Sequence, residues 1–260
     1  MQSAFKRRVR AFWDQEPCGT GGNPHPAHTP AFYEWVERQR TAREPFIERF
    51  ARWSEWTGKR VLEMGTGAGT DFVRFARAGA QAVGIDLSES GPRLVRERLA
   101  SEGLRAGVVQ ADVEQVPFPD DRFDFVYSWG VIHHTENTAA AAREALRVLK
   151  PGGRFCVMVY HRYSLHCLRG YLKFGLLRGH LFASIDNIAR DHFESFGTKV
   201  YTTAEARALF PGIDLVVTRV LTPYDLQLSR RIFVPRSIGR FIPRFFGYFM
   251  ILEGQKPMRG

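Results

Sequence analysis

The sequence predicts an α/β protein with a Rossmann-like, seven-stranded, mostly parallel sheet whose last strand is antiparallel. Helices are expected on both faces, together with a helical N-terminal cap and an inserted cap segment. Two observations carry this prediction. Short apolar segments alternate with amphipathic ones between residues 60 and 160, which is typical of parallel βαβ units. A glycine-rich turn follows the first apolar segment, as at the mouth of such sheets.

The alternating region contains five expected strands and three expected helices. Each strand is four to eight residues of mainly apolar character, and the helices are bounded by glycine or proline. The strands are predicted at 60–65, 82–88, 106–112, 123–129 and 154–160, and the helices at 70–78, 92–102 and 138–149.

Composition and the alternation of strand and helix patterns divide the chain into four parts. Residues 1–57 are expected to form a helical cap or lid, with a Gly/Pro-rich loop and a helix interrupted at Pro45. Residues 58–160 form the ligand-binding core. Residues 161–212 lose the alternation and are expected to form a helical substrate cap, with helices near 165–177 and 203–210. Residues 213–260 complete the sheet with strands at 213–221 and 246–255, as an antiparallel edge.

The formal net charge is +10, and it is concentrated in two stretches, 160–179 and 219–244. Basic faces attract phosphates, anionic substrates or anionic membranes, although a solvated surface is the simpler interpretation. The three cysteines are odd in number and lack CxxC spacing, so neither a disulfide framework nor a zinc site is indicated. With no leader-like or membrane-length apolar segment, a cytoplasmic location is expected.

The strongest local signal is the segment VLEMGTGAGTDF, in which a strand enters a helix through three glycines. Glycines tolerate positive φ and let backbone amides approach a ligand. The spacing is GxGxG, preceded by Glu63, rather than the GxGxxG of dinucleotide sites. An acid beside the turn disfavours a pyrophosphate and favours a positively charged amino acid tail, which argues against NAD.

Two further acids follow the second and third strands. Asp86 is suited to accept hydrogen bonds from both hydroxyls of a ribose. Asp112 is suited to accept a hydrogen bond from an adenine amino group. With Glu63 they are expected to border one crevice at the carboxyl ends of the strands.

These motifs, with EALRVLKPGGRF after them, resemble class I S-adenosylmethionine-dependent methyltransferases, within them the ubiquinone and menaquinone biosynthesis group. The resemblance covers about residues 55–160. It implies S-adenosylmethionine as cofactor and S-adenosylhomocysteine as product, with the acids and the glycine turn on the cofactor and the end of strand four beside the sulfonium. The implied cofactor residues are Glu63, Gly65, Thr66, Gly67, Gly69, Asp86, Leu87, Asp112, Val113, Ser128 and Trp129.

Catalytic and acceptor residues are less sharply indicated. His133, His134 and His161 are candidates for a general base, against a structural role for each. Trp13 and Tyr33 are candidate aromatic walls, and Tyr160 and His161 are placed in the acceptor pocket with them. No metal is predicted, because adjacent histidines are expected to point apart.

The expected activity is methyl transfer to a small molecule by in-line attack on the sulfonium methyl. Three alternatives stay open: action on a quinone or lipid at a membrane surface through the basic segments 164–178 and 230–246, RNA methylation, and binding without catalysis. An anionic acceptor and peripheral membrane contact are left open, and a nucleic-acid partner is disfavoured. The sequence does not indicate an oligomeric state.

Overall fold

The computed structural model describes residues 3–227 and 241–258, and the eight strands of its sheet lie within them. The candidate strand at 213–221 and the last strand are both present, slightly shortened. The strands are β1 (Arg60–Met64), β2 (Gln81–Asp86), β3 (Gly107–Gln110), β4 (Phe123–Trp129), β5 (Leu149–His161), β6 (Val200–Tyr201), β7 (Val216–Val220) and β8 (Phe249–Gln255).

The sheet order is β3-β2-β1-β4-β5-β8-β7, with β6 paired to β5. Neighbouring strands are parallel from β3 to β5, and β8 is antiparallel to both β5 and β7. The chain reverses its direction of winding between β1 and β4. Ligands of open α/β sheets bind at such a switch point, outside the carboxyl ends of the strands.

The predicted α/β class and the antiparallel edge formed by the two last strands are confirmed. Within that edge β8 lies between β5 and β7, and its residues Met250 and Leu252 are fully buried. Strand β5 also starts earlier than predicted and runs through the Pro151–Gly153 segment, which pairs with the chain near Lys256.

The helices cover both faces of the sheet, and two separate clusters of buried apolar side chains lie beneath them. Helix α2 ends before Pro45, as predicted, because the residue preceding a proline disfavours helical backbone. The helices are α1 (Ala4–Gln15), α2 (Pro30–Arg43), α3 (Glu48–Ala51), α4 (Thr70–Arg77), α5 (Ser90–Ser101), α6 (Thr138–Val148), α7 (Leu165–Phe174), α8 (Ile185–His192) and α9 (Thr203–Ala208).

The N-terminal helix α1 is fixed to the core by polar contacts. The Asp14 carboxylate accepts hydrogen bonds from the backbone N–H groups of Glu89 (2.6 Å) and Ser90 (3.0 Å). These groups begin helix α5 and lack helical partners of their own. One oxygen of Asp14 thus caps a helix far away in sequence and holds α1 over the carboxyl ends of the strands.

Within the described ranges, no helix combines the length and apolar character needed to cross a bilayer. Much of the basic segment 230–246 considered for membrane contact lies outside the described residues. The segment 164–178 is described: it contains α7, whose Leu168 and Leu172 are exposed, and Leu176 beyond that helix, which is exposed as well.

Candidate active site

A cavity of about 460 Å³ opens at the carboxyl ends of β1, β2 and β4, beneath α1 and α2. Most of the residues predicted for the cofactor and acceptor border it. The ones that do are Trp13, Glu63, Gly65, Thr66, Gly67, Asp86, Leu87, Asp112, Val113, Trp129, His134 and Tyr160.

Three predicted residues support this cavity from behind rather than bordering it. Gly69 precedes α4 in the left-handed region at φ 77°. The Ser128 hydroxyl donates a hydrogen bond to the Met64 carbonyl (3.1 Å), and the Tyr33 hydroxyl to that of Leu94 (3.2 Å). The hydroxyls of Ser128 and Tyr33 are therefore occupied by hydrogen bonds within the fold, and Tyr33 does not form the expected acceptor wall.

Two of the three candidate histidines also lie away from the cavity. The His161 ring is buried, and its Nδ1 contacts the Gly247 carbonyl at 3.2 Å. Burial lowers the pKa of His161 to about 4, and the Arg219 charge adds to this. His133 is fully buried against Tyr160, and burial lowers its pKa far below the usual value. The end of β5 turns His161 away from the crevice because side chains alternate along a strand.

The glycine turn has the backbone geometry that its sequence predicts. Gly65, Gly67 and Gly69 adopt φ angles of 87°, 49° and 77°. A Cβ atom at Gly65 would lie 2.2 Å from a methyl group of Val131, and one at Gly69 would lie 2.6 Å from a methyl group of Val95. Positive φ and close packing together require glycine at both of these positions.

Asp86 is held rigidly at the end of β2. One carboxylate oxygen accepts the Gly67 backbone N–H at 2.8 Å, and the other accepts the backbone N–H (2.9 Å) and the hydroxyl (2.7 Å) of Ser88. The residue is partly exposed and borders the cavity. The carboxylate is therefore preorganised beside the glycine turn, with about one acceptor site, on Oδ2, left for a ligand.

Glu63 is buried, with 4% of its surface exposed, and within the described part of the chain its Oε2 has no hydrogen-bond partner. Burial raises its pKa well above the usual glutamate value; Asp71 and Asp86 act in the same direction and Arg40 opposes them. A buried carboxyl without a partner is costly to a fold. Its place at the cavity wall suits a ligand that brings a cationic group.

Asp112 lies beyond β3, at the far end of the crevice from Glu63. Its Oδ2 pairs with Lys6 of α1 at 2.6 Å, and the same ammonium reaches Glu114 at 2.8 Å. The second oxygen accepts the backbone N–H of Glu114 at 2.9 Å. The N-terminal helix therefore closes over this end of the cavity through an ion pair.

A buried charge network also borders the cavity. Arg40 pairs with Asp71 (2.5 Å) and with Glu44 (2.7 Å), and the Trp129 indole N–H donates to Glu44 at 2.7 Å. Although burial would lower the pKa of Arg40, these carboxylates raise it well above the usual value. The Tyr127 hydroxyl also donates to Asp71 (3.2 Å). This network orients Trp129, and sequence reasoning missed its acids and its arginine because no motif marks them.

The other end of the cavity centres on Glu194, which the sequence analysis also missed. Its Oε2 accepts the Tyr160 hydroxyl at 2.5 Å and lies 3.3 Å from Nε2 of His134. His134 Nδ1 contacts the Ser195 hydroxyl at 2.9 Å. Burial opposes ionisation of Glu194, but the contacts with His134 and Tyr160 prevail and lower its pKa. Glu194 has φ 29°, an unusual backbone conformation for a non-glycine residue.

The expectation that the adjacent histidines point apart is wrong. The ring centroids of His133 and His134 lie 4.2 Å apart, because both rings pack against Tyr160. Together with Glu194 they bring one ligand atom each to within 4.8 Å of one another. Imidazole and carboxylate suit a transition metal. The absence of a metal therefore stays a prediction, which metal analysis of the purified protein checks.

The cavity wall is acidic although the chain is basic. Acidic side chains outnumber Lys and Arg by nine to three among the bordering residues. The three bases are Lys6, Arg40 and Arg43, and the first two are paired with acids. Such a wall concentrates cations. The nine acids are Glu16, Glu44, Glu63, Asp71, Asp86, Asp112, Glu114, Glu136 and Glu194.

Comparison with known proteins agrees with this geometry. Residues 62–157 match the family described as a methyltransferase domain, and they contain most of β1, all of β2 to β4, the glycine turn and all three acids. The similarity to a methyltransferase domain thus resides in this part of the chain. It is 36% identical over 111 residues to the ubiquinone/menaquinone biosynthesis C-methyltransferase UbiE of Pseudomonas putida. That match covers 41% of this chain and 43% of the relative, less than half of its length.

Solved structures share the fold of this methyltransferase domain and its surroundings. A SAM-dependent methyltransferase from Aquifex aeolicus aligns with a TM-score of 0.55 at 17% identity, covering 87% of this chain and 98% of its own. The PH0226 protein of Pyrococcus horikoshii aligns with a TM-score of 0.58 at 19% identity, covering 85% and 91%. At these identities the likeness is one of fold.

The residues of the methyltransferase domain fit S-adenosylmethionine, the cofactor of class I domains. The unpartnered Oε2 of Glu63 suits the ammonium of the methionine moiety. Gly65 and Gly67 border the cavity without side chains, so the turn lies against the ligand through its backbone. Asp86 offers preorganised acceptors for a ribose, and the acidic wall suits a cofactor that carries a sulfonium.

Proposed function

We propose that the protein transfers the methyl group of S-adenosylmethionine to a small-molecule acceptor, by in-line attack of the acceptor on that methyl. One observation carries the proposal: Glu63, Asp86, Asp112 and the glycine turn all border a single cavity at the switch point of the sheet. Had these acids lain on separate surfaces, the cofactor assignment would have had no physical basis.

In the proposed complex Glu63 binds the methionine ammonium, Asp86 the ribose hydroxyls, and Asp112 with Val113 the adenine. Leu87 borders the nucleoside, and the 65–67 turn lies against the methionine moiety. The N–H groups of Gly65 and Thr66 donate to the Ile85 carbonyl and that of Gly67 to Asp86, so the turn shapes this wall rather than donating to the ligand. Asp112 already pairs with Lys6, so adenine has to share or displace that contact. Trp129, held by Glu44, places its ring between the cofactor end and the acceptor end.

Bound cofactor supplies an electrophilic methyl group on a sulfonium. The chain itself contributes position and exclusion of water. Helix α1 covers the cavity through the Asp14 cap and the Lys6 ion pairs, and Trp13 of that helix reaches the His134 ring (5.7 Å between centroids). His161 and His133 form no part of the proposed chemistry, because neither borders the cavity among the described residues.

The acceptor is proposed to be neutral or cationic rather than anionic. Arg43 is the one bordering base with no ion pair among the described residues, whereas Glu16, Glu136 and Glu194 add negative charge. The net charge of +10, which prompted the expectation of an anionic acceptor, therefore resides elsewhere on the protein.

A second candidate is the same reaction at a membrane surface. Leu168 and Leu172 are exposed on one face of α7, and the exposed Leu176 follows that helix, with Lys173 and Arg178 nearby. Such a face suits an anionic bilayer. Flotation with phosphatidylglycerol vesicles tests it: the protein floats in low salt if the candidate holds, and a Leu172→Glu variant stays behind.

Isothermal titration with S-adenosylhomocysteine tests the main proposal. The folded protein should bind it, and Asp86→Ala should weaken binding about 10- to 100-fold, since charge-assisted hydrogen bonds are lost. Asp124→Ala is the matched control: that carboxylate accepts a backbone N–H (2.9 Å) and pairs with Lys150 (2.6 Å) at the opposite end of the sheet. Equal affinity of Asp86→Ala and wild type would refute the cofactor assignment.

A further inference from the structure

Glu194 stands where two cavities meet. It borders the main cavity together with Tyr160 and Tyr224. It and Tyr224 also border a second cavity of about 230 Å³, which lies between α7 and the segment after α8. Glu194 and Tyr224 therefore belong to the walls of both cavities.

The two contacts of this carboxylate leave one oxygen available. The Tyr160 hydroxyl donates a hydrogen bond to Oε2, and His134 Nε2 lies 3.3 Å from the same oxygen. Among the described residues, no hydrogen bond is made to Oε1. About two-fifths of the Glu194 side chain (41%) is exposed, although the residues beside it, Phe193 and Ser195, are buried. The carboxylate thus presents a fixed, unshared acceptor to the cavity.

His134 holds the carboxylate rather than serving as the base itself. Its Nδ1 contacts the Ser195 hydroxyl at 2.9 Å, and its Nε2 faces Glu194. The Ser195 contact occupies Nδ1, whereas Nε2 is buried 3.3 Å from Glu194 and makes no hydrogen bond among the described residues. His134 and Tyr160 are therefore positioning residues, and Glu194 is the group that meets the ligand.

Aromatic rings surround this carboxylate. The Phe249 centroid lies 5.8 Å from that of Tyr160 and 6.2 Å from those of Tyr224 and Trp129, and all four residues border the main cavity. Aromatic faces stabilise a cation, and a carboxylate among them adds a charge-assisted hydrogen bond. Aromatic walls with one unshared carboxylate are complementary to an ammonium group.

We infer that this end of the cavity binds an amine, so that the methyl acceptor is a primary or secondary amine nitrogen anchored on Glu194. The inference rests on the proposed methyl transfer and names its substrate class. The acceptor ammonium donates one N–H to Oε1 of Glu194, which takes that proton. The freed nitrogen lone pair forms the N–CH₃ bond as the S–CH₃ bond breaks, and the bonding pair of that bond stays on sulfur. The methylated amine carries the positive charge that the sulfonium loses.

Three matched probes test this in the presence of saturating S-adenosylhomocysteine: tyramine, 4-ethylphenol and 4-hydroxyphenylacetate. They share one ring and end in an ammonium, a methyl group and a carboxylate. Titration calorimetry or saturation-transfer NMR should find tyramine bound at least tenfold more tightly than the other two. Glu194→Gln should remove that preference while the affinity for S-adenosylhomocysteine stays unchanged. Asp191→Asn, in the same segment but paired with Arg190 outside the cavity, should change neither.

The outcomes separate the two proposals. If neither the folded wild-type protein nor any variant binds S-adenosylhomocysteine, the proposed function itself is overturned. With that binding intact, the amine site is overturned by equal affinity for tyramine and 4-ethylphenol, by preference for the carboxylate probe, or by binding of none of the three. It is also overturned by a stoichiometric metal ion in the purified protein that Glu194→Gln loses, because the carboxylate would then be a ligand of that ion.

Discussion

The two ends of the cavity are held together by different kinds of contact. At the cofactor end, backbone geometry dominates: Gly65 and Gly67 have positive φ, and Asp86 accepts backbone N–H groups from residues 67 and 88. At the acceptor end, side chains hold one another, as Tyr160 and His134 hold Glu194. Backbone contacts tolerate few substitutions, whereas side-chain contacts can change one at a time. The cofactor end is thus suited to one ligand, and the acceptor end to variation.

The largest effect is expected from Gly65→Ala, which breaks the cofactor end. Its Cβ would meet Val131 at 2.2 Å, and the residue would have to keep φ 87°. Strain and overpacking together predict a loss of about 2–4 kcal/mol of unfolding free energy and no measurable S-adenosylhomocysteine binding. Denaturant melts and titration calorimetry measure the two quantities.

Gly103→Ala is the control for backbone strain alone. Gly103 has φ 64°, and a Cβ there would meet no atom within 4 Å. We expect a loss of about 1 kcal/mol with unchanged ligand affinity. If the two variants were equally stable and bound equally well, the glycine turn would not be a ligand cradle.

Glu63→Gln should raise the stability of the fold and lower the affinity for S-adenosylhomocysteine. Because burial raises the Glu63 pKa in the folded state, the unfolded chain releases its proton first as pH rises above about 4.3. Stability therefore falls with rising pH until the folded carboxyl also ionises, and glutamine removes this loss. Near pH 7 the variant should melt a few degrees higher and bind S-adenosylhomocysteine about tenfold more weakly.

The pH profile of melting temperature decides the Glu63 prediction. Wild type and variant should converge near pH 4 and separate as pH increases. Glu16→Gln, an exposed residue on the same cavity wall, should follow wild type throughout. A variant that is less stable than wild type at pH 7 would show that Glu63 has a partner in the fold.

Asp14→Ala tests how the cap over both ends is fixed. The substitution leaves the Glu89 and Ser90 N–H groups without their acceptor, at a cost of about 1 kcal/mol. Melting temperature should fall by about 2–4 °C, and S-adenosylhomocysteine should dissociate faster. Glu89→Ala removes only the exposed ion pair with Arg10 (3.3 Å) and should be nearly neutral. Stopped-flow dissociation that is unchanged in Asp14→Ala would mean that α1 does not close the site.

Tyr160→Phe is expected to have the smallest effect and to act on the acceptor end alone. It removes the hydroxyl that donates to Glu194 while keeping the ring in the aromatic wall. Tyramine affinity should fall about threefold to tenfold, with S-adenosylhomocysteine affinity unchanged. Tyr201→Phe, whose hydroxyl contacts Thr138 (2.8 Å) outside the cavity, should alter neither. A loss of S-adenosylhomocysteine affinity in Tyr160→Phe would show that the two ends are not independent.

The strands from β1 to β5, the glycine turn and the three acids are predictable from local patterns in the sequence. These features are local: apolar periodicity fixes the strands, positive φ requires glycine, and an acid that ends a strand lies at the mouth of a parallel sheet. The placement of β8 between β5 and β7 cannot be predicted from the sequence, because the apolar pattern of β8 is the same whether it lies inside β7 or outside it.

The acceptor end depends on contacts that form only when the chain packs. Glu194 lies 34 residues from Tyr160, and Glu44 lies 85 residues from Trp129, in segments without a motif. Conversely, the sequence predicts Tyr33 and His161 in the acceptor pocket, yet packing turns them into the core. Contacts between distant side chains depend on how helices and loops pack over the sheet, and no local pattern in the chain records that packing.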